Sequence, residues 1–156
     1  MPRSLGPVVP APLAGLIDGR DLAAASGHTF LLLTAAEGDW PHAALLSAGE
    51  VLLHRGRLRL GLWPGSATTA NLTRSGRATL LAVVPPATYD LRLRAERGRD
   101  ITVGGRPLAY FEADVVEAVE DVVAYATVMG GITFDLADRE ATLASWSECL
   151  SAMRSA

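Results

Sequence analysis

The chain of 156 residues contains no lysine; all fourteen basic residues are arginine. That excludes a lysine Schiff base and a lysine phosphate clamp. Its one cysteine, Cys149, cannot form an intrachain disulfide, and no Cys/His cluster with zinc spacing occurs. The three histidines, His28, His42 and His54, make neither an H-x-x-x-H nor an H-E-x-x-H pair, so no metal site is expected. No serine stands in a G-x-S-x-G elbow. Gly104-Gly105 and Gly130-Gly131 lack the spacing of a P-loop or dinucleotide motif and read as turns. No apolar run is long enough to span a bilayer. The early hydrophobic stretch from Val8 to Ile17 is broken by Pro10 and Pro12, which argues against a secretory signal and for a cytoplasmic location. There is no internal repeat and no βαβ rhythm, so a parallel doubly wound sheet is not expected.

What is present is a hydrophobic half (49%), which supports a folded core in one domain over residues 1–156. The net charge of −3 points to neither nucleic acid nor a membrane surface. The charge is unevenly spread. Residues 1–109 carry twelve arginines against eight acids, +4; residues 110–156 carry two against nine, −7. Two such segments either pack together, within a subunit or across a dimer, or form two separate solvated faces.

Residues 1–12 are Pro-rich and read as an extended or mobile arm. Leu13–Ala25 suits a short helix weakened at Gly19. His28–Thr34 and Trp40–Ser47 form a hairpin across Glu37-Gly38-Asp39, and Gly49–His54 with Arg57–Trp63 form a second across Arg55-Gly56. Arg77–Val84 is a continuously apolar strand stopped by Pro85-Pro86. In Ala87–Arg97, Leu91, Leu93 and Ala95 face one side, and Arg92, Arg94 and Glu96 the other. Ile101–Val103 and Leu108–Val119 follow, the latter expected to run into a helix near Glu120–Met129. Residues 138–154 form an amphipathic C-terminal helix, with Leu143, Trp146, Leu150 and Met153 on one stripe and Asp138 as N-cap. The fold class is therefore mainly β: six or seven antiparallel strands in a barrel with a few flanking helices.

The segment Arg57–Val84 carries the clearest site signal. Leu58, Leu60 and Leu62 alternate with Arg59, Gly61 and Trp63, and Pro64-Gly65 breaks the strand. Ser66 then suits an N-cap, with Thr68, Thr69 and Asn71 close behind and a short helix over Asn71–Ser75 ending at Gly76. Free N–H groups at a helix start, with nearby hydroxyls and arginines, favour an anion such as phosphate.

These residues resemble the pyridoxamine 5′-phosphate oxidase-like family of FMN-binding split β-barrels. Gly38, Pro41 and His42 look like the family's dG-x-Ph turn. Ser66-Ala67-Thr68-Thr69-Ala70-Asn71-Leu72 looks like its S-x-K-x-x-N-L step, and Ser75–Leu80 like its N-P-x-v-a-l strand. The likeness covers residues 25–120. It implies a homodimer with an FMN cleft between subunits. The flavin phosphate would lie by Ser66, Thr68, Thr69 and Asn71, and the ring edge against backbone groups of Ala43–Ser47, with Ser47 at the cofactor; Trp63 suits either stacking on a bound aromatic ring or packing at an interface. Thr68 stands where the family has lysine, and a hydroxyl brings no charge to a phosphate dianion. Arg59, Arg74 and Arg77 are the candidates to replace that charge, Arg59 first because it leads along its strand into Ser66. The resemblance implies an FMN-dependent oxidoreductase of unread substrate, in which no side chain need act as acid or base. The departure at Thr68 keeps a second reading open: a non-catalytic dimer on the same scaffold, binding heme, a deazaflavin or no ligand. Glu112 and Asp114 share a strand face, as in a solvated edge or an acid–base pair. The arginines of 92–99 lack interleaved aromatics, so no nucleic-acid partner is expected.

Overall fold

The computed structural model describes residues 1–156. Nine strands form one antiparallel sheet: β1 (Arg3–Gly6), β2 (Thr29–Thr34), β3 (His42–Ser47), β4 (Val51–His54), β5 (Arg57–Leu62), β6 (Arg77–Val84), β7 (Ala87–Arg97), β8 (Ile101–Val103) and β9 (Arg106–Asp121). Four helices join them: α1 (Ala11–Ile17), α2 (Leu22–Ala25), α3 (Ala67–Ser75) and α4 (Arg139–Ser155). The main path runs β3-β2-β6-β7-β9-β5-β4, with β1 and β8 added to β9. The sheet curls into a split barrel, and β3 and β4 are left as its two ends.

The period-2 patterns produce this architecture directly. In β7 every second residue from Ala87 to Ala95 is buried while Arg92, Arg94 and Glu96 are exposed. Those buried residues join Phe30, Leu32, Leu58, Leu60, Leu80 and Phe111 in the main core. A second, smaller core lies under α4, where Cys149, Leu150 and Met153 meet Leu52, Ile101 and Tyr110. β5 is covered on both faces as a result: its leucines enter the main core, while Arg59 and Gly61 lie beneath α4. Asp138 caps α4 through the Ala141 N–H at 3.1 Å.

Several sequence expectations are revised. Part of the Pro-rich arm is strand β1, paired with β9, and Arg3 bonds Glu120 at 2.7 Å. The expected helix over Leu13–Ala25 is two short helices separated by residues 18–21. No helix forms over Glu120–Met129: β9 continues to Asp121 because its end is held between β7 and β1, and 122–137 is irregular. Helix α3 runs unbroken over Ala67–Ser75, joining the helical turn expected after the Ser66 cap to the short helix expected over Asn71–Ser75. The basic and acidic halves meet inside one subunit. β9 lies between β5 and β7, which pairs Arg57 with Glu112 and Asp114, Arg59 with Glu112, and Arg92 with Glu117.

Candidate functional site

The chain leaves β5 at Leu62, turns through Trp63-Pro64-Gly65, and enters α3 at Ser66. The Ser66 hydroxyl accepts the Thr69 N–H at 3.1 Å and donates to Thr69 Oγ1 at 3.1 Å. Thr69 Oγ1 in turn donates to the Trp63 carbonyl at 2.7 Å. Both hydroxyl protons are thus spent on shaping the turn. The N–H groups of the first helical turn, those of Ala67 and Thr68 included, have no intrahelical acceptor. Thr68 Oγ1 is buried and has no hydrogen-bond partner. Asn71 is buried behind it, donating to Thr34 Oγ1 at 3.1 Å and accepting from Arg74 at 3.0 Å. Gly76, at φ +65°, ends the helix in the left-handed conformation that favours glycine.

Helix α3 packs against β2 and β3. Strand β3 pairs only with β2, so backbone groups on its other edge over residues 43–45 are unpaired, while Ser47 at its end is bonded to Glu50 through both its N–H and its C=O. Its outward side chains Ala43 and Leu45 are exposed. With Leu31, Leu33, Leu81 and Val83 they form an apolar outer face across β3, β2 and β6. Val116, on β9, is also exposed. The irregular segment after β9 adds exposed Tyr125, Met129 and Ile132.

The expected site residues do not form one cluster. Ser66, Thr69 and Trp63 are together at the helix start. Thr68 and Asn71 point into the protein from the same helix. Ser47, at the end of β3, uses its N–H and hydroxyl on the Glu50 carboxylate at 3.1 and 2.9 Å. Burial holds that carboxyl above its ordinary range, against the opposing bonds from Ser47. Trp63 is exposed and lines a cleft of ≈ 410 Å³ with Glu50, Gly61, Arg106, Trp146 and Cys149.

Arg59 is engaged elsewhere. Its guanidinium Nη1 donates to the carbonyls of Met153, Arg154 and Ala156, and Nη2 lies 3.6 Å from Glu112. It is a cap on the C-terminus of α4, where cations are favoured. Strand alternation placed Arg59 and Trp63 on one face correctly; what it missed is that α4 covers that face at Arg59 and not at Trp63. Arg74 is tied to Asn71. Arg77 lies past the far end of α3, about 14 Å from Ser66 by helix length. None of these three arginines therefore supplies charge at the Ser66 turn, while Arg106 shares the cleft that Trp63 lines. The donors present, backbone N–H groups of the first helical turn, fit a ligand's acceptor atoms through hydrogen bonds rather than an ion pair.

Other candidate groups are occupied structurally. Arg57 holds both Glu112 and Asp114, the latter at 2.8 Å. Tyr110 donates to Glu112 at 2.7 Å, and burial with that bond pushes its hydroxyl up to about 12. The Cys149 thiol is pushed up to about 11 by burial and by Glu50, which disfavours a nucleophilic thiolate. No group of three His, Cys, Asp or Glu side chains is arranged to hold a metal ion. No helix is long and apolar enough to cross a membrane.

The chain is 33% identical over 136 residues to the uncharacterized protein YclD of Bacillus subtilis (strain 168), covering 86% of this chain and 88% of that protein. This chain belongs to the YclD family. No family model matches it. Among solved structures, the YclD-family chain resembles a candidate pyridoxamine 5′-phosphate oxidase from Lactobacillus delbrueckii. That match has a TM-score of 0.56 and 13% identity, over 74% of this chain and 98% of the other. A heme-binding protein from Mycobacterium smegmatis matches at TM-score 0.50 and 19% identity, over 78% and 58% of the two chains. A candidate 5-nitroimidazole resistance protein from Bacteroides thetaiotaomicron matches at 0.50 and 9%, over 78% and 90%. At such identities the likeness is one of fold: the YclD-family chain has the pyridoxamine 5′-phosphate oxidase-like split barrel.

Proposed function

We propose that this protein binds a flavin, FMN first among the candidates, in a cleft between two copies of the chain and works as an oxidoreductase. The observation that carries the reading is the unpaired edge of β3 over residues 43–45 beside the start of α3. Free backbone N–H and C=O groups on that edge suit the hydrogen-bonding rim of a flavin ring. The Ala67 and Thr68 N–H groups suit the anionic end of its tail. Ser66 and Thr69 hold the turn that presents those groups, and exposed Trp63 offers an aromatic face next to it. The apolar outer face around Leu45 and Leu31 is the surface a second copy would cover, closing the cleft to water. Bound FMN would supply the hydride and electron chemistry.

A second reading rests on the uncharged Ser66 turn: a ligand without a phosphate dianion there, heme or a deazaflavin, or a dimer with no ligand. One experiment separates the two. Purified protein is examined for visible flavin absorbance and melted with FMN, FAD, a deazaflavin and heme in turn, since at equal concentration the tighter-binding ligand raises the melting temperature more. A yellow protein stabilised by FMN upholds the first reading; a colourless one that ignores FMN refutes it. Light scattering on the eluting protein tests the dimer, and a clean monomer removes the shared cleft.

A further inference from the structure

The face of the sheet that α4 covers holds polar groups that the fold leaves unused. Leu52 of β4 enters the small core under α4, so Glu50, two residues earlier, stands on the same face. Antiparallel register carries Glu50 beside Gly61 of β5, whose N–H donates to the Glu50 carbonyl at 3.0 Å. On the other flank of β5, Gly61 lies opposite Tyr110 of β9, and Leu108 and Arg106 share that residue's face. Helix α4 closes the third side with Trp146 and Cys149. At Gly61 a Cβ would sit 3.2 Å from Cys149 Sγ, so the bare backbone there keeps the floor open. The result is the cleft of ≈ 410 Å³ that Trp63 rims, a volume at the small end of those that hold organic ligands.

The polar groups of this cleft have bonds to spare. Glu50 uses one oxygen, Oε1, for both bonds from Ser47, and its Oε2 accepts none. Arg106 lines the cleft with its guanidinium in no ion pair or hydrogen bond within the chain. The indole N–H groups of Trp63 and Trp146 are likewise unpartnered. β4 and β9 flank β5, so carboxyl and guanidinium approach from strands roughly 10 Å apart, two strand spacings. The walls between them are apolar and aromatic, from Leu108 and the two tryptophans. A guanidinium grips a carboxylate through two parallel N–H groups, and a carboxyl oxygen without a partner takes a hydroxyl or amino donor. We propose that this cleft binds a single-ring aromatic acid, with its carboxylate on Arg106, its ring against Leu108 and the indoles, and a hydroxyl or amino donor across the ring on Glu50 Oε2. The inference is independent of the flavin reading: of these residues only Trp63 adjoins the Ser66 turn, and the binding needs no flavin.

4-Hydroxybenzoate is the probe. Titrated calorimetrically into the full-length protein as purified, at low salt, it should bind saturably. Benzoate, which lacks the donor, and phenol, which lacks the carboxylate, should each bind about tenfold more weakly. Arg106→Gln should lose about tenfold for 4-hydroxybenzoate while binding phenol as the wild type does. Arg106 is exposed, so this variant should keep the wild-type melting temperature. Arg99→Gln, on the exposed turn after β7, removes a guanidinium outside the cleft and should bind as the wild type does. In proton–nitrogen NMR spectra the indole signals of Trp63 and Trp146 should move during the titration. That of Trp40, at the opposite end of β3 from Ser47, should not. Unchanged affinity in Arg106→Gln, equal binding of 4-hydroxybenzoate and phenol, movement confined to Trp40, or no saturable binding at all overturns the proposal.

Discussion

Arg59→Ala separates two roles for one side chain. In the structure Arg59 is 8% exposed and caps α4 through three backbone carbonyls while facing Glu112. A hydrogen bond from a charged donor contributes about 1.5–3 kcal/mol, and breaking a buried charged arrangement costs about 3–5 kcal/mol. Against this stands a penalty already present, since Arg59 Nε is buried without a partner. A net loss of about 3 kcal/mol follows. For a chain of this size each kcal/mol moves the melting point by about 2–4 °C, so the variant should melt about 6–12 °C lower. Because the cap is buried, added salt should change that difference little. Hydrogen exchange should quicken first at residues 149–156, the last turns of α4. The assay is thermal unfolding of unliganded protein, followed by FMN titration of wild type and variant. If the melting point stays within about 1 °C of wild type while FMN affinity falls tenfold, Arg59 serves the ligand and the capping argument fails.

Three further outcomes follow from the same reasoning. Thr68→Val, which removes a buried hydroxyl lacking a partner, should stabilise the unliganded protein by about 1 kcal/mol; a lower melting point would show that the hydroxyl is bonded after all. Glu50 has its folded-state carboxyl raised above the usual 4.5 by burial, so its share of stability is full below that value and lost as pH rises through the folded value. Glu50→Gln keeps the acceptor for Ser47 and should therefore flatten the fall in stability above about pH 4.5; an unchanged pH profile by denaturant titration counts against burial as the cause. At Gly49 a Cβ would lie 2.7 Å from Trp146 Cβ and closer still to its indole. Gly49→Ala should cost about 1–3 kcal/mol in thermal unfolding, and Trp146→Ala in the same chain should recover part of it; full tolerance would mean that α4 is not seated there.

Local patterns in the chain decided a good deal. The strict alternation of β7 comes from side chains standing on opposite faces of a pleated strand, so it is readable without knowing any neighbour. The caps at Ser66 and Asp138 are equally local, since each hydroxyl or carboxylate bonds an N–H three residues on. The mainly β, antiparallel-barrel class follows from such signals added together, and its split form is what the resemblance over residues 25–120 implied. Partner identity was out of reach, because strand register is a long-range choice. Only tertiary structure put α4 over Arg59, turning an expected phosphate ligand into a helix cap. Only the placement of β9 between β5 and β7 joined the basic and acidic halves of one chain, gave Asp114 to Arg57, and left Arg77 and Arg94 facing each other without a counter-charge. It also held Glu120 and Asp121 in a strand where the sequence suggested a helix, since ladder hydrogen bonds to two neighbours outweigh a weak intrinsic preference. The sequence by itself determined the alternating strands and the caps at Ser66 and Asp138. Which charges are spent, and which are left free to meet a ligand, was decided by the pairing of strands far apart in the chain.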